Sequence, residues 1–437
     1  MPYATFLDKV LGPIGVYEGH RTVFDDNFVD RLCHYYTIIG LFFGTILVGT
    51  AEYVGNPIEC WCPAELSPDE VKYVNFVCWV QNTYYIPPFK PVPYEYEFRY
   101  SNTIFYYQWV PLILLIMAVI CKFPRLVWKY MSNRCGVGIK KLVELAKQTH
   151  LNSKEDREQK LKFVAQYIDK WCLNVRAHRS GIFAPTREQA ASLCDIGCGR
   201  HHGNYLISIR IMVRIMYFAV SFGLLFFLNE FLQNDIYIYG YDVINKFLAG
   251  QDWSLNHVRF PRVTLCDFDL RQLSNIQRYT MQCVLPVNLY NEKLFIILWF
   301  WMTLISVMSF LNVLYTLIVA PMKKPRKNFI KKYLRLNEIY EKRERDALTK
   351  KLLQKFVELH LKHDGIFLLQ LMSNNVGSAV MGDVIKHLWD LYRDRQFQIN
   401  NGTVPKPADK NSYVSYRSSN GTLSKEYKKT LANESFV

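Results

Sequence analysis

Four stretches of this chain run without charge for about the 17–25 helical residues that a bilayer core demands. They are Tyr35 to Ala51, Tyr100 to Cys121, Ile215 to Asn229 and Leu294 to Met322. One such run fits a buried helix of a soluble domain. Four of them, separated by polar segments, predict a four-pass membrane protein. The third run is short, and Arg210 and Arg214 at one end are expected to snorkel and lengthen it. A mean hydropathy of −0.03 hides this pattern, because it averages apolar segments with very polar ones. Residues 1–34 are charged throughout and have no apolar core region, so the first membrane helix is expected to act as its own insertion signal.

Charge sets the orientation. Residues 52–99 carry 3 basic and 7 acidic side chains, residues 127–208 carry 14 and 7, residues 232–293 carry 6 of each, and the part from Ile318 carries 23 and 12. Basic excess marks the cytoplasmic side. Both termini and the 127–208 loop are therefore expected inside, and the other two loops outside. The net charge of +15 reads as a topology signal, and nothing supports nucleic-acid binding. Cysteine usage fits this map. Cys60, Cys62, Cys78, Cys266 and Cys283 fall in outer loops, where paired cysteines form disulfides. Spacing alone leaves their connectivity open.

These signals predict a mainly α fold: a four-pass helical bundle, small disulfide-stapled extracellular loops and a helical cytoplasmic dome. The expected segments are 1–34, membrane helix 35–51, outer loop 52–99, membrane helix 100–126, inner loop 127–208, membrane helix 209–231, outer loop 232–293, membrane helix 294–320, helical region 321–399 and tail 400–437. In the first outer loop, Pro87, Pro88, Pro91 and Pro93 favour rigid extended backbone. In the second, "RVTLCDFDLR" alternates like a strand. The tail turns to Ser, Asn, Lys, Thr and Gly, a composition of disorder.

No catalytic constellation is present: the sequence lacks a phosphate-cradling glycine loop, GxSxG and HExxH. An enzyme reading is therefore poor. "CDIGCGRHH", Cys194 to His202, places Cys194, Cys198 and His201 or His202 within reach of one Zn²⁺. A second Cys pair with zinc-ribbon spacing is missing, so reduced thiols are the expectation and no metal is assigned. The sequons Asn401, Asn420 and Asn433 fall in the inner tail and are expected to stay unmodified. The membrane helices carry almost no ionisable residue in their centres, which argues against a proton pump or tightly coupled transporter. A wide, weakly selective pore or a poreless scaffold is left. Thr37, Thr45, Thr50, Thr303, Ser306, Ser309 and Asn312 can line water or hydrogen-bond between helices. Gly40 and Gly44 in "GLFFG" have the spacing of a close helix approach. Glu52, at the outer end of the first helix, is a candidate for attracting cations, beside the simpler reading of a solvated carboxylate. In "YYQWVP", Tyr106, Tyr107 and Trp109 suit the outer membrane interface, and Pro111 suits an early helical turn or a kink.

The strings "DDNFVDRLCHYYT", "PIECWCPAEL", "VCWVQNTYY", "YYQWVPLILLIMAVICKFPRLVW", "FPRVTLCDFDLR", "RYTMQCVLPVNLYNEKLF" and "DGIFLLQLMSNNVG" occur in order from near residue 25 to near 395. This run resembles the innexins, the invertebrate gap-junction proteins. The resemblance implies plasma-membrane hemichannel rings, homomeric or mixed with other innexins and larger than a hexamer. Their outer loops dock with a neighbouring cell's hemichannel, and ions and small metabolites pass. The N-terminal segment folds into the pore mouth, the first helix lines the conduit, and Cys60 pairs with Cys283 and Cys78 with Cys266. Membrane lipid is a partner and no cofactor is implied. Cys62 departs from the family pattern. The alternatives are an undocked release channel, like the related pannexins, and a four-pass adhesion or scaffold protein.

Overall fold

The computed structural model describes residues 26–87, 89–95, 98–99, 101, 103–149, 154–177, 203–232, 239–250, 260–339 and 347–400. The N-terminal segment before Asp26, the Cys194–His202 cluster and the three sequons lie outside the described residues. In chain order the elements are helix α1 (Phe28–Tyr53), strand β1 (Glu59–Trp61), α2 (Pro68–Val80), β2 (Thr83–Tyr84), β3 (Thr103–Ile104) and α3 (Tyr107–Asn133). Then come α4 (Ile139–Gln148), α5 (Lys154–Ala177), α6 (Tyr205–Leu232), α7 (Tyr239–Leu248), β4 (Val263–Gln272), β5 (Asn275–Val284) and α8 (Pro286–Val319). The last are α9 (Lys323–Leu336), α10 (Ala347–Lys355), which runs into a π-turn (Phe356–Leu361), α11 (Lys362–Ser373) and α12 (Ser378–Asn400).

The chain divides into two compact units. One comprises the described residues of Met1–Ser132 and Ile209–Ile318, and the other those of Asn133–Ser208 and Val319–Val437. Four helices are long and apolar enough to cross a membrane: α1, α3, α6 and α8. Each of α1, α6 and α8 begins before the charge-free stretch that announces it, because polar residues at its start find partners instead of breaking the helix. Helix α3 starts at Tyr107 rather than at Tyr100, since Thr103 and Ile104 pair with β2. Pro111 lies in the first α-helical turn, where its missing N–H costs nothing. Pro124 is the proline inside this helix, where it removes a backbone bond.

In the first unit, both segments expected outside build one antiparallel sheet, ordered β1-β5-β4-β2-β3. The β4–β5 hairpin supplies its centre, and the short strands between α1 and α3 flank it. Helix α2 is an addition to the extended loop read from the sequence. Ser67 Oγ accepts from Glu70 N, Glu70 accepts from Ser67 N at 2.7 Å, and Pro68 occupies the first turn. Gly240 of α7 lies so close to the Trp299 ring of α8 that an added Cβ would stand 2.0 Å from a ring carbon.

The second unit is helical. Leu161, Ile168, Ile330, Phe356, Leu369 and Leu388 are among its fully buried side chains. The helical region expected over 321–399 is interrupted: Glu338, at φ 58°, takes the left-handed conformation just after α9 ends.

Candidate functional site

Two structures sit at opposite ends of the four long helices of the first unit. At one end is the sheet. Cys60 of β1 and Cys283 of β5 are direct cross-strand partners and are joined by a disulfide. Cys78 of α2 is joined to Cys266 of β4. Each bond ties a residue between α1 and α3 to one between α6 and α8. The sequence separations of 223 and 188 residues place them among the long loops whose closure most restricts an unfolded chain. Sulfurs of Cys60, Cys78 and Cys283 lie within 4.8 Å of one another because the two cystines pack side by side, and oxidised sulfur is not the thiolate that a metal needs. Cys62 is free and half-buried.

Polar contacts fix the rest of this end. Tyr84 donates its hydroxyl to Asp267 at 2.9 Å, and Arg99 pairs with the other Asp267 oxygen at 2.9 Å. Burial first, then the hydrogen bond to Asp267 and its charge, pushes the Tyr84 phenol well above its ordinary range. Arg99 Nε also donates to Pro93 O at 2.6 Å, so the proline-rich segment is tied to the hairpin. Arg262 pairs with the buried Glu292 of α8 at 2.8 Å, and Asn288 donates to Pro261 O at 2.8 Å. The hairpin thus enters and leaves the bundle at fixed points.

At the other end is a buried ionic network that joins all four helices. Asp30, in the first turn of α1, pairs with Arg210 of α6 and accepts from Asn312 of α8 at 3.2 Å. Asp26 pairs with Arg125 of α3 at 2.6 Å, with Arg210 at 3.6 Å and with His34 at 3.4 Å. Arg214 donates to Thr316 of α8 and lies 3.9 Å from Asp30. The Arg210 guanidinium also covers the Trp128 ring at 5.1 Å. Arg210 and Arg214 therefore do not snorkel outward: carboxylates within the bundle hold them. The sequence signal for this is a seam. Asp30, His34, Thr37, Leu41, Gly44, Val48 and Glu52 recur at three- and four-residue spacing, and all are buried. A π-turn at Leu32–Tyr36 falls within it.

The other residues singled out in the sequence are placed as follows. Trp109 keeps about half its surface exposed (52%), but Tyr106 and Tyr107 are buried, which corrects the interfacial reading of these two. Tyr107 packs on Trp79 of α2, and Tyr106 packs edge-on against Phe260. Gln108 donates to Trp79 O, so this string anchors α2 to the start of α3. Thr37 is also corrected as a pore candidate. It is buried, donates to Leu32 O at 2.7 Å and accepts from Trp301 of α8 at 3.0 Å. Thr45 is half-buried and donates to Leu41 O. Glu52 belongs to α1 and is buried, with one carboxylate oxygen lacking a hydrogen-bond partner among the described residues, so it is not a solvated loop carboxylate. Ser309 contacts Cys33 at 3.2 Å across α1 and α8. Of the two glycines in "GLFFG", Gly44 meets Leu294 of α8 closely, whereas Gly40 faces open space.

Two buried carboxylates organise the second unit. Asp364 accepts from Leu206 N at 2.9 Å and Ile207 N at 3.2 Å, and so caps the start of α6 from 158 residues away. Burial pushes its carboxyl up to about 6, against those N–H bonds. Asp169 of α5 binds His360 at 2.8 Å and Arg395 of α12. Burial raises Asp169, but the hydrogen bonds from His360 and Arg395 outweigh it and hold this carboxyl below its ordinary range.

Four apolar spans, a sheet woven from two separate segments and two cystines that cross between them define a multi-pass membrane protein with a preformed, covalently locked surface. The sequence matches the innexin profile over residues 26–392. It is 35% identical over 372 residues to innexin unc-9 of Caenorhabditis elegans, covering 85% of this chain and 93% of that protein. It is 29% identical over 387 residues to innexin eat-5 of the same species, covering 86% and 89%. Innexin-19 of Caenorhabditis briggsae is 31% identical over 393 residues, covering 86% and 88%. The chain belongs to the innexin family.

Proposed function

We infer that this chain works as a gap-junction channel subunit. Innexins are channel proteins of gap junctions, and the cross-stapled sheet is the observation that carries the reading to this chain. A docking surface must present one shape to its counterpart before contact, because ordering mobile loops on binding costs affinity. Two cystines and the Asp267 and Glu292 ion pairs supply that order here. The sheet end also exposes apolar side chains, with Trp61 84% exposed on β1 and Leu273 fully exposed at the hairpin tip.

The rest of the mechanism is geometry. Subunits assemble into a ring larger than a hexamer, with this chain alone or with other innexins. The apolar face of α2 that its own protomer leaves open, Tyr73, Phe76 and Val80, suits a neighbouring subunit. Helix α1 lines the conduit with its open face, Ile39, Phe43, Ile46 and Thr50, rather than with Thr37. The sheet end faces the extracellular gap and meets the hemichannel of the adjacent cell. Both termini lie in the cytoplasm, as the basic excess in residues 127–208 and after Ile318 supports. Ions and small metabolites pass between cytoplasms. Transfer of a small fluorescent dye between paired cells that express the chain tests this reading. Dye confined to the injected cell, with the protein at the surface of both, would contradict it.

A further inference from the structure

Helix α9 reads KKPRKNFIKKYLRL, with seven Lys and Arg and no Asp or Glu in 14 residues. We propose that it is a docking surface for the phosphorylated headgroups of anionic phospholipids, in the leaflet that α8 has just left. This rests on α8 crossing the bilayer and not on docking between cells.

Connectivity keeps the start of the helix beside the end of α8. Only Ala320, Pro321 and Met322 separate it from Val319, the last residue of α8. Three residues span at most about 11 Å, so its first turn stays close to the end of α8. Burial then decides which of its side chains stay open. Ile330, Tyr333 and Leu334 are buried in the second unit, while Lys323, Lys324, Lys332 and Arg335 are exposed.

The charge arrangement works against the helix itself. Lys323, Lys327, Lys331 and Arg335 recur every fourth residue, a row roughly 18 Å long. Like charges at this spacing destabilise a helix. Lys323 and Lys324 also stand in the first turn, where the helix dipole disfavours cations. No carboxylate within the helix offsets either effect. An anionic surface offsets both.

The local shape suits a lipid better than a soluble acidic partner. Asn328, Lys331, Lys332, Arg335 and Leu336 line an open cleft of about 510 Å³. Its cations fit phosphate oxygens, and Leu336 is 60% exposed beside them. Met322, at the other end of the helix, is also exposed. Apolar side chains flanking a basic row match the boundary between headgroup and acyl chain.

The test uses the detergent-purified full-length channel and a short-chain phosphoinositide bisphosphate, with short-chain phosphatidylcholine as reference, read by thermophoresis. The bisphosphate lipid is expected to bind at least about tenfold more tightly than phosphatidylcholine, and the K323Q/K327Q/K331Q/R335Q variant is expected to lose that preference. The charge-keeping K323R/K327R/K331R variant should retain it, which separates charge from misfolding. Equal affinity of the glutamine variant and the wild type would overturn the proposal. Equally tight binding of a soluble inositol phosphate without acyl chains would overturn the lipid assignment. Binding is read without cell pairs, so its failure is distinct from failure of junctional coupling.

Discussion

Asp30 of α1 and Arg210 of α6 form a buried ion pair that closes one end of the first unit. Asn312 and Arg214 converge on the same carboxylate, so one aspartate holds groups from α6 and α8. Removing one partner of such a pair leaves a buried charge unpaired, which costs about 3–5 kcal/mol. Asp30→Ala is expected to lower the midpoint of thermal unfolding in detergent sharply. Arg210→Met alone should do the same, and the double variant should be less impaired than the sum of the two. Strict additivity would show that the pair is not coupled.

The cystines make a separate prediction. Non-reducing peptide mapping should recover the Cys60–Cys283 and Cys78–Cys266 peptides. Cys62→Ser should leave both in place, because Cys62 belongs to neither bond. Cys78→Ser should lose junctional current while the protein still reaches the membrane. A Cys60–Cys78 peptide would refute the scheme.

Leu273 takes φ 54° at the tip of the β4–β5 hairpin, with its side chain fully in solvent. Left-handed backbone is uncommon for leucine. Leu273→Asp is expected to abolish coupling between paired cells and to spare single-cell hemichannel current. Unchanged junctional conductance would remove the tip from the docking surface.

Asp364 gives the second unit a pH dependence of known sign. Its folded value, about 6, is raised above the ordinary carboxylate value of 3.8. The folded form therefore holds the proton more tightly, so this group's contribution is full below the unfolded value and is lost as pH rises through 6. Asp169 is shifted the other way, and its contribution fades only as pH falls below the ordinary carboxylate value. Between pH 5 and 7, Asp364 should accordingly make the wild type less stable toward pH 7, by on the order of 1 kcal/mol. Asp364→Asn keeps an acceptor for Leu206 and Ile207 and should flatten that slope. An identical slope in the variant would show that Asp364 does not titrate there.

Much of this architecture is legible in the sequence because lipid imposes a length and forbids charge. That is how four runs of apolar residues announce α1, α3, α6 and α8. The ionic network is not legible in the same way. Asp26 and Asp30 look like ordinary polar lead-in to a helix, and Arg210 and Arg214 like a basic membrane flank. Only the three-dimensional seam puts Asp30 opposite Arg210. The same limit hid the burial of Tyr106 and Tyr107: an aromatic at a membrane boundary can face lipid or pack on a neighbour, and Trp79 lies on a helix whose proline-rich surroundings obscured it. Its start was written in Ser67-Pro68-Asp69-Glu70, a capping box with proline at the first position. The small polar residues divide likewise, since Thr37 and Ser309 bond between helices while Thr45 bonds within its own.

Whether the cross-stapled sheet joins channels of two cells is open to direct measurement. Dual whole-cell voltage clamp of paired cells, each expressing this chain, measures that directly. Wild-type pairs are expected to show a junctional conductance that is absent when one cell carries Cys78→Ser. Membrane current in single cells without any junctional conductance in pairs would contradict it, and would make this chain a channel that opens to the outside instead of to a neighbour.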